Sequence, residues 1–373
     1  MEIISLDDLF EFIPGVTKLP KNYKDNGKVF LINYKDVLMS SLIWEPNQMI
    51  TIYENLDYTK HITRYNDLLI TSTSEIQSEI GQISIYKSNK SALLNGFCKI
   101  MRLKLNNKLN PQYAFYLFKT DIFRKKISNC SNGITRYNIL WNLFKKISFK
   151  LVNIEYQLDI IAIIEPFERL LEITNKKIEL LIKLGDKLIE LVKNECYLKN
   201  LSNITAGSSP PQFPEYWENG NIPFLNIKDL TNTPIITKVD SFITDLAFKK
   251  YNCKKIDKYS VLIGKVSPDK DKISLSTIDS VVNGAIRIIK PFQKENAFQL
   301  FFALRNKSDY IKKIATGSVQ QQINSNQLYN LLIKFDTKMN NYFILLFKLL
   351  FILEKIKNKL KSIIRNIVKI YVK

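Results

Sequence analysis

Two kinds of apolar pattern alternate along the chain. Short segments rich in β-branched and aromatic residues come first, at 29–33, 68–71, 82–86 and 97–103. Their length and composition predict strands. The segment 111–127 then predicts a helix. Asn110 reads as its N-cap, Pro111 as its first residue, and Tyr113, Tyr116 and Leu117 as its buried face. The same order returns at 222–227, 260–264, 272–275 and 285–289, followed by a helix over 297–314. Each half is therefore expected to be α+β.

After each half the period changes to that of a helix. Phe167, Leu171, Thr174, Ile178, Leu181, Gly185, Leu188 and Val192 advance by steps of three and four. Near the end the series is Tyr342, Leu346, Leu349, Leu353, Ile356, Leu360, Ile363, Ile367 and Ile370. Such a series predicts a coiled-coil seam, on a helix about 40 Å long at the helical rise. One apolar stripe cannot stay dry alone. The economical arrangement pairs the two helices antiparallel; a seam packed under its own domain, or in a homodimer, is the alternative. Pro166 lacks an amide proton and suits a first turn. It predicts a short helix over 155–164 and a long one starting near 166. The expected organisation is two tandem α+β domains, 1–150 and 197–336, with helical regions at 151–196 and 337–373.

The halves repeat each other. Gly27-Lys-Val-Phe-Leu-Ile-Asn33-Tyr-Lys35-Asp36 returns as Gly220-Asn-Ile-Pro-Phe-Leu-Asn226-Ile-Lys228-Asp229, at an offset of 220 − 27 = 193. Leu6, Leu9 and Gly15 return as Leu198, Leu201 and Gly207; Leu94-Asn95-Gly96 as Val282-Asn283-Gly284; Gly133 as Gly317. The order holds while the offset drifts, as loop insertions allow at small cost. This period is far longer than a solenoid unit of about 20 to 50 residues. Two domains of one fold follow, in a pseudo-two-fold internal repeat.

Charge narrows the partner. Lys and Arg total 55 against 35 Asp and Glu, a net charge of +20. That excess favours an acidic polymer or an anionic surface. Residues 1–10 carry Glu2, Asp7 and Asp8 and no basic residue, unlike a secretory signal. The longest apolar run, 342–353, is interrupted by Lys348 and falls short of a membrane span. Cys98, Cys130, Cys196 and Cys253 are isolated, and His61 is the single histidine, so zinc-ligand spacing is missing. A reduced, cytoplasmic protein without membrane contact is expected.

Enzymatic readings find little support. Asn110-Pro111-Gln112-Tyr113 is one residue from the Asn-Pro-Pro-Tyr box of adenine methyltransferases, which grips a flipped base. None of the 11 glycines forms Gly-x-Gly, and a helix start explains the four residues better. Pro268-Asp269-Lys270-Asp271-Lys272 reads as a solvated turn rather than a Mg²⁺ site. Gly27-Lys28 and Gly264-Lys265 lack the upstream glycine of a phosphate loop. His61 reads as a surface or loop histidine.

One further stretch ties these elements to a family. Glu155-Tyr156-Gln157-Leu-Asp-Ile-Ile161-Ala162-Ile-Ile164 resembles the Glu-Gln-x-x-Ile-Ala-x-x-Leu stretch that follows each target-recognition domain in specificity subunits of type I restriction-modification systems. Gly317-Ser318-Val-Gln320-Gln-Gln322-Ile323 resembles the Gly-Ser-x-x-x-x-Ile stretch of the same family. Tyr156 splits the Glu-Gln pair, and no such pair stands in the second copy near 337–347. The resemblance, which extends over essentially the whole chain, implies a subunit without catalysis of its own. Each recognition domain would read half of a split site on double-stranded DNA, and the helices would space the halves. Methyltransferase (modification) subunits would dock through Glu155, Gln157 and Ile161, and a restriction/motor subunit would join them. This chain would bind no cofactor; S-adenosylmethionine, ATP and Mg would sit on the partners. The alternative is a stand-alone DNA-binding or coiled-coil scaffold protein outside any methyltransferase complex.

Polar loops between strands are the expected DNA contacts, cations on phosphates and amides or guanidinium on base edges. In the first half they are Lys35, Thr71, Ser72, Thr73, Ser74, Gln77, Thr135, Arg136, Tyr137 and Asn138. In the second they are Lys228, Lys265, Ser267, Lys270, Lys272, Gln320, Gln321 and Gln322. The two sets differ in chemistry, so the half-sites are expected to differ in sequence.

Overall fold

The computed structural model describes residues 2–17, 29–39, 42–43, 46, 48–50, 58–104, 108–231, 233–317 and 321–372. The chain forms two compact units, Met1–Arg169 with Ser362–Lys373, and Leu170–Lys361.

The first unit holds a five-stranded sheet in the order Phe10–Pro14, Cys98–Leu103, Leu68–Thr71, Ile83–Tyr86, Leu42–Ile43. Neighbours are antiparallel except the last pair, which is parallel. The strands expected at 68–71 and 82–86 form as Leu68–Thr71 and Ile83–Tyr86, buried at every residue. Both faces are covered, which is why these stretches carry no charged residue; buried Ser84 donates to the Val37 carbonyl and buried Thr71 accepts the Gln82 amide. Leu68 and Ile70 point into one core with Tyr113 and Phe115; Leu69 enters a second with Tyr86 and Ile100.

The second unit repeats this plan. Its sheet runs Ser202–Ala206, Ile286–Pro291, Val261–Gly264, Ile273–Ser276, Ile235–Ile236, again with one parallel edge. Val29–Ile32 lies parallel to Ala92–Leu94 in the first unit, as Ile222–Leu225 does to Ser280–Val282 in the second. The repeated Asn-x-x-Asp string is a strand-to-helix cap. The Asn33 amide donates to Asp36 Oδ2 at 2.7 Å, and the Asn226 amide to Asp229 Oδ2 at 2.7 Å. Orphan donors at a short helix start are satisfied in the same way twice.

Three helix expectations change. Each domain helix is broken in two, Pro111–Leu117 with Asp121–Asn129, and Asn296–Asn306 with Ser308–Ile314. Thr120 caps the second piece of the first pair. Pro166 does not break the central helix, which is continuous over Ile154–Glu190. Pro166 and Ala162 are both solvent-exposed. The carbonyl at position 162 that loses its partner can therefore be hydrated, while Ile161, Ile164 and Glu168 anchor the helix on its buried side.

The third change concerns the helix Asn340–Tyr371. Tyr342, Leu349, Ile356 and Ile370 of the expected seam are exposed, Tyr342 at 60%. The buried line runs through Phe343, Leu346, Phe347, Leu350, Glu354, Leu360 and Val368. The domain sets this phase: Phe347 stacks on Phe298 at 4.2 Å, and Phe343 meets Phe302 at 5.6 Å. Within each unit the two long helices run antiparallel. In the first, the Tyr156 hydroxyl donates to the Tyr371 carbonyl at 2.9 Å, and Ile160, Ile161 and Ile164 share a core with Val368 and Val372.

In the second unit the helices approach at Gly185. A Cβ there would stand 2.2 Å from the Phe302 ring and 2.8 Å from Leu346 Cδ2. Glycine costs about 1 kcal/mol against Ala inside a helix, so close packing is what keeps it. Gly185→Val is expected to destabilise by about 1–3 kcal/mol through overpacking, read as a lower urea midpoint. A midpoint equal to wild type would show that Phe302 can move aside.

Candidate nucleic-acid interface

The expected first-half residues converge. Ser131–Asn132 and Tyr137–Ile139 form a hairpin, and Thr73–Ser74 pairs with it to give a three-stranded sheet. Two loops some sixty residues apart thus form one face. Gly133 makes the hairpin possible: its φ is +148°, and a Cβ would stand 2.0 Å from the Arg136 carbonyl. Ile134, 94% exposed, is at the tip with Thr135 and Arg136.

Beside this sheet lies a cleft of about 690 Å³ that also contains Lys35. The Tyr34 hydroxyl donates to the Thr73 carbonyl at 2.9 Å, joining the Lys35 helix to the sheet. Burial pushes the Tyr34 phenol above its ordinary range, so it stays a donor. Arg136 lies over the Phe97 ring at 5.9 Å, and Phe97 is 53% exposed. Phe97 falls outside the contacts expected from the sequence, because its aromatic side chain sits in an otherwise strand-like stretch.

Not every expected contact is available. Thr71 is buried, and its hydroxyl accepts the Gln82 amide. Ser74 is buried and accepts the Ile76 amide. Ser72 supplies backbone bonds to Phe97 and Ile139. Lys35, Gln77, Thr135, Arg136 and Asn138 are exposed, and Thr73 and Tyr137 are half-buried.

The second unit has the matching arrangement. Val266 and Thr316 both bridge to Gln322, as Thr73 and Asn132 both pair with Asn138. Gly317 has φ +137°, like its counterpart Gly133. The Ser267 amide donates to the Gln321 carbonyl at 2.9 Å. Lys228, Ser267 and Gln321 are exposed, and Lys265 and Gln322 half-buried. Gln320 lies outside the described residues. Two lysines hold structure instead of standing free. Lys272 Nζ donates to the carbonyls of Val266 and Ser267, and Lys270 Nζ pairs with Asp186 of the central helix at 2.7 Å. Asp186 also pairs with Arg305, which donates to the Lys270 carbonyl. Asp269 caps the turn that follows, so the Pro-Asp-Lys-Asp-Lys run is a built loop.

The residues expected to dock partners divide. Glu155 is exposed. Ile161 is in the first core. Gln157 is fully buried: Oε1 accepts the Asn110 amide at 2.8 Å, and Nε2 donates to the carbonyls of Lys108 and Val152. Asn110 does cap its helix, accepting from the amides of Gln112 and Tyr113. Gln112 reaches onward to Glu168 at 3.1 Å. Burial pushes the Glu168 carboxyl up and the Lys87 ammonium beside it down. In the second unit the missing Glu-Gln pair has a substitute on the opposite element. Gln299, buried on the domain helix, accepts from the Asp336 amide and donates to the Asp336 carbonyl and Asn340 Oδ1. Both units thus lock a helix start with a buried glutamine.

Apolar rows remain open on the long helices. In the second unit Tyr342, Leu345, Leu349, Ile352 and Ile356 are exposed at alternating steps of three and four. Among the described residues no helix is long and apolar enough to cross a membrane, and no cluster of His, Cys, Asp or Glu could hold a metal.

The chain is a duplicated α+β module in which a positive-φ glycine stands beside a polar bridge in each copy. The chain belongs to the family of type I restriction-modification DNA specificity domains, whose pattern it matches over residues 1–183 and 193–335. It is 27% identical over 223 residues to the type I restriction enzyme MjaIX specificity subunit of Methanocaldococcus jannaschii, covering 53% of this chain and 50% of that one. It is 24% identical to the putative MjaX specificity subunit of the same organism, over 74% of this chain and 69% of the relative. The chain thus spans only half the length of the first of these relatives. The crystal structure of a type I restriction-modification S subunit from M. genitalium shares the fold, with a TM-score of 0.50 at 15% identity over 99% of this chain and 95% of that one.

Proposed function

We propose that this chain is the sequence reader of a type I restriction-modification complex and recognises a split, asymmetric site on double-stranded DNA. One observation carries the reading: among the described residues a polar bridge beside a positive-φ glycine stands on both units, with different polar side chains. Arg136, Thr135 and Asn138 offer one set of donors and acceptors, and Lys265, Ser267 and Gln321 another. Phosphate contacts fix register and such side chains read base edges. The excess of positive charge supports the affinity.

The chain supplies no catalytic group in this reading. Methyltransferase subunits dock on the open apolar rows of the long helices, with a restriction/motor subunit beside them. S-adenosylmethionine, ATP and Mg belong to those partners. Glu155 remains exposed for such a contact, whereas Gln157 and Ile161 act from inside the fold.

Modified-base sequencing of DNA from cells carrying this chain with a modification subunit tests the proposal. The expected motif is split, with a modified adenine in each half and unlike halves. An active complex that adds no new motif overturns the reading, and a perfect palindrome overturns the asymmetry.

A further inference from the structure

The cleft beside the first-unit hairpin has a charge balance unlike a phosphate channel. Lys35 and Arg136 face Asp36, Glu75 and Glu79 along its lining. Three carboxylates against two cations repel a phosphate backbone, yet neutral base edges carrying both donors and acceptors are tolerated there. Arg136 sits at the hairpin tip, fixed by the turn at Gly133, and its guanidinium lies over the half-exposed Phe97 ring. A guanidinium held over an aromatic face by cation–π attraction can still present its N–H fork and loses less freedom on binding. That fork matches the O6 and N7 acceptors of guanine in the major groove.

The geometry points to Arg136 as a guanine-reading residue of the first unit, with Phe97 as the positioning residue that holds its side chain. This rests on the reading of the chain as a DNA-specificity subunit. Among the described residues the second unit has no such pair. The Ser72 amide donates to the Phe97 carbonyl, and in the repeat the Lys265 amide donates to the carbonyl of Ala285. Alanine therefore stands where the aromatic ring would be, and arginine selection supported by an aromatic ring is confined to one half-site.

The test is selection of bound duplexes from a randomised pool by the full chain, followed by titration of the selected site at several salt concentrations. Wild type is expected to require G·C at one position of one half-site. Arg136→Ala should lose roughly 10- to 100-fold of discrimination at that position alone, with the salt dependence unchanged. Phe97→Ala should weaken the same position, and Phe97→Tyr should restore it. Loss spread evenly over all positions, with the log–log salt slope reduced by about 0.9, would make Arg136 a phosphate contact and overturn the inference. Unchanged base preference in Arg136→Ala also overturns it. Failure of the wild-type chain to select any split site would instead overturn the underlying reading.

Discussion

Gln157→Leu is expected to destabilise the first unit by about 3 kcal/mol, visible as a fall in the urea midpoint. The substitution keeps volume but abandons the Asn110 amide and the carbonyls of Lys108 and Val152, all partly buried. Each loses a hydrogen bond worth about 1 kcal/mol, and a buried group left unpaired costs more. Gln157→Glu should be worse, because a carboxylate would face two carbonyl oxygens with no proton to offer. The measurement separates two roles for the family motif. A variant with wild-type stability and weakened binding of a modification subunit would return Gln157 to the docking surface.

Asp186→Ala should cost the second unit about 3 kcal/mol, the lower end for removing one member of a buried ion pair, because the Asp186 side chain is 17% exposed. Arg305 is 8% exposed and donates to both Asp186 oxygens, so its charge would be left with the Lys270 carbonyl and the Phe301 ring. Lys270 would also lose its anchor, freeing the 265–272 loop from the central helix. Asp186→Leu combined with Arg305→Met should recover much of the loss, because an apolar pair carries no desolvation penalty. A single variant within about 1 kcal/mol of wild type would show that water reaches the Arg305 guanidinium.

The central sheet strands were legible because burial on both faces leaves a short uncharged run rich in β-branched and aliphatic residues, as at 68–71 and 83–86. The hairpin at 131–139 was not legible as structure. Its strands have two and three residues, mostly polar, and are held by Thr73 and Ser74 from far along the chain. Only the repeated glycine, 133 and 317, hinted at it. The C-terminal helix misled for a different reason. It carries apolar residues on two faces, and periodicity cannot say which is buried until Phe298 and Phe302 choose. Gln157 stands out in the sequence as part of a motif, but its partners at 108, 110 and 152 are set by tertiary packing.

The first unit is not one continuous stretch of chain. Ile364, Ile367, Val368 and Val372 pack into the core built by residues from the amino-terminal half. During synthesis those four emerge some two hundred residues after the rest of that core. Its apolar floor beneath Ile160, Ile161 and Ile164 stays open until then, while the second unit has already been made. The part of the protein translated first is therefore the part completed last, and an interrupted chain would carry its defect at the opposite end from the interruption.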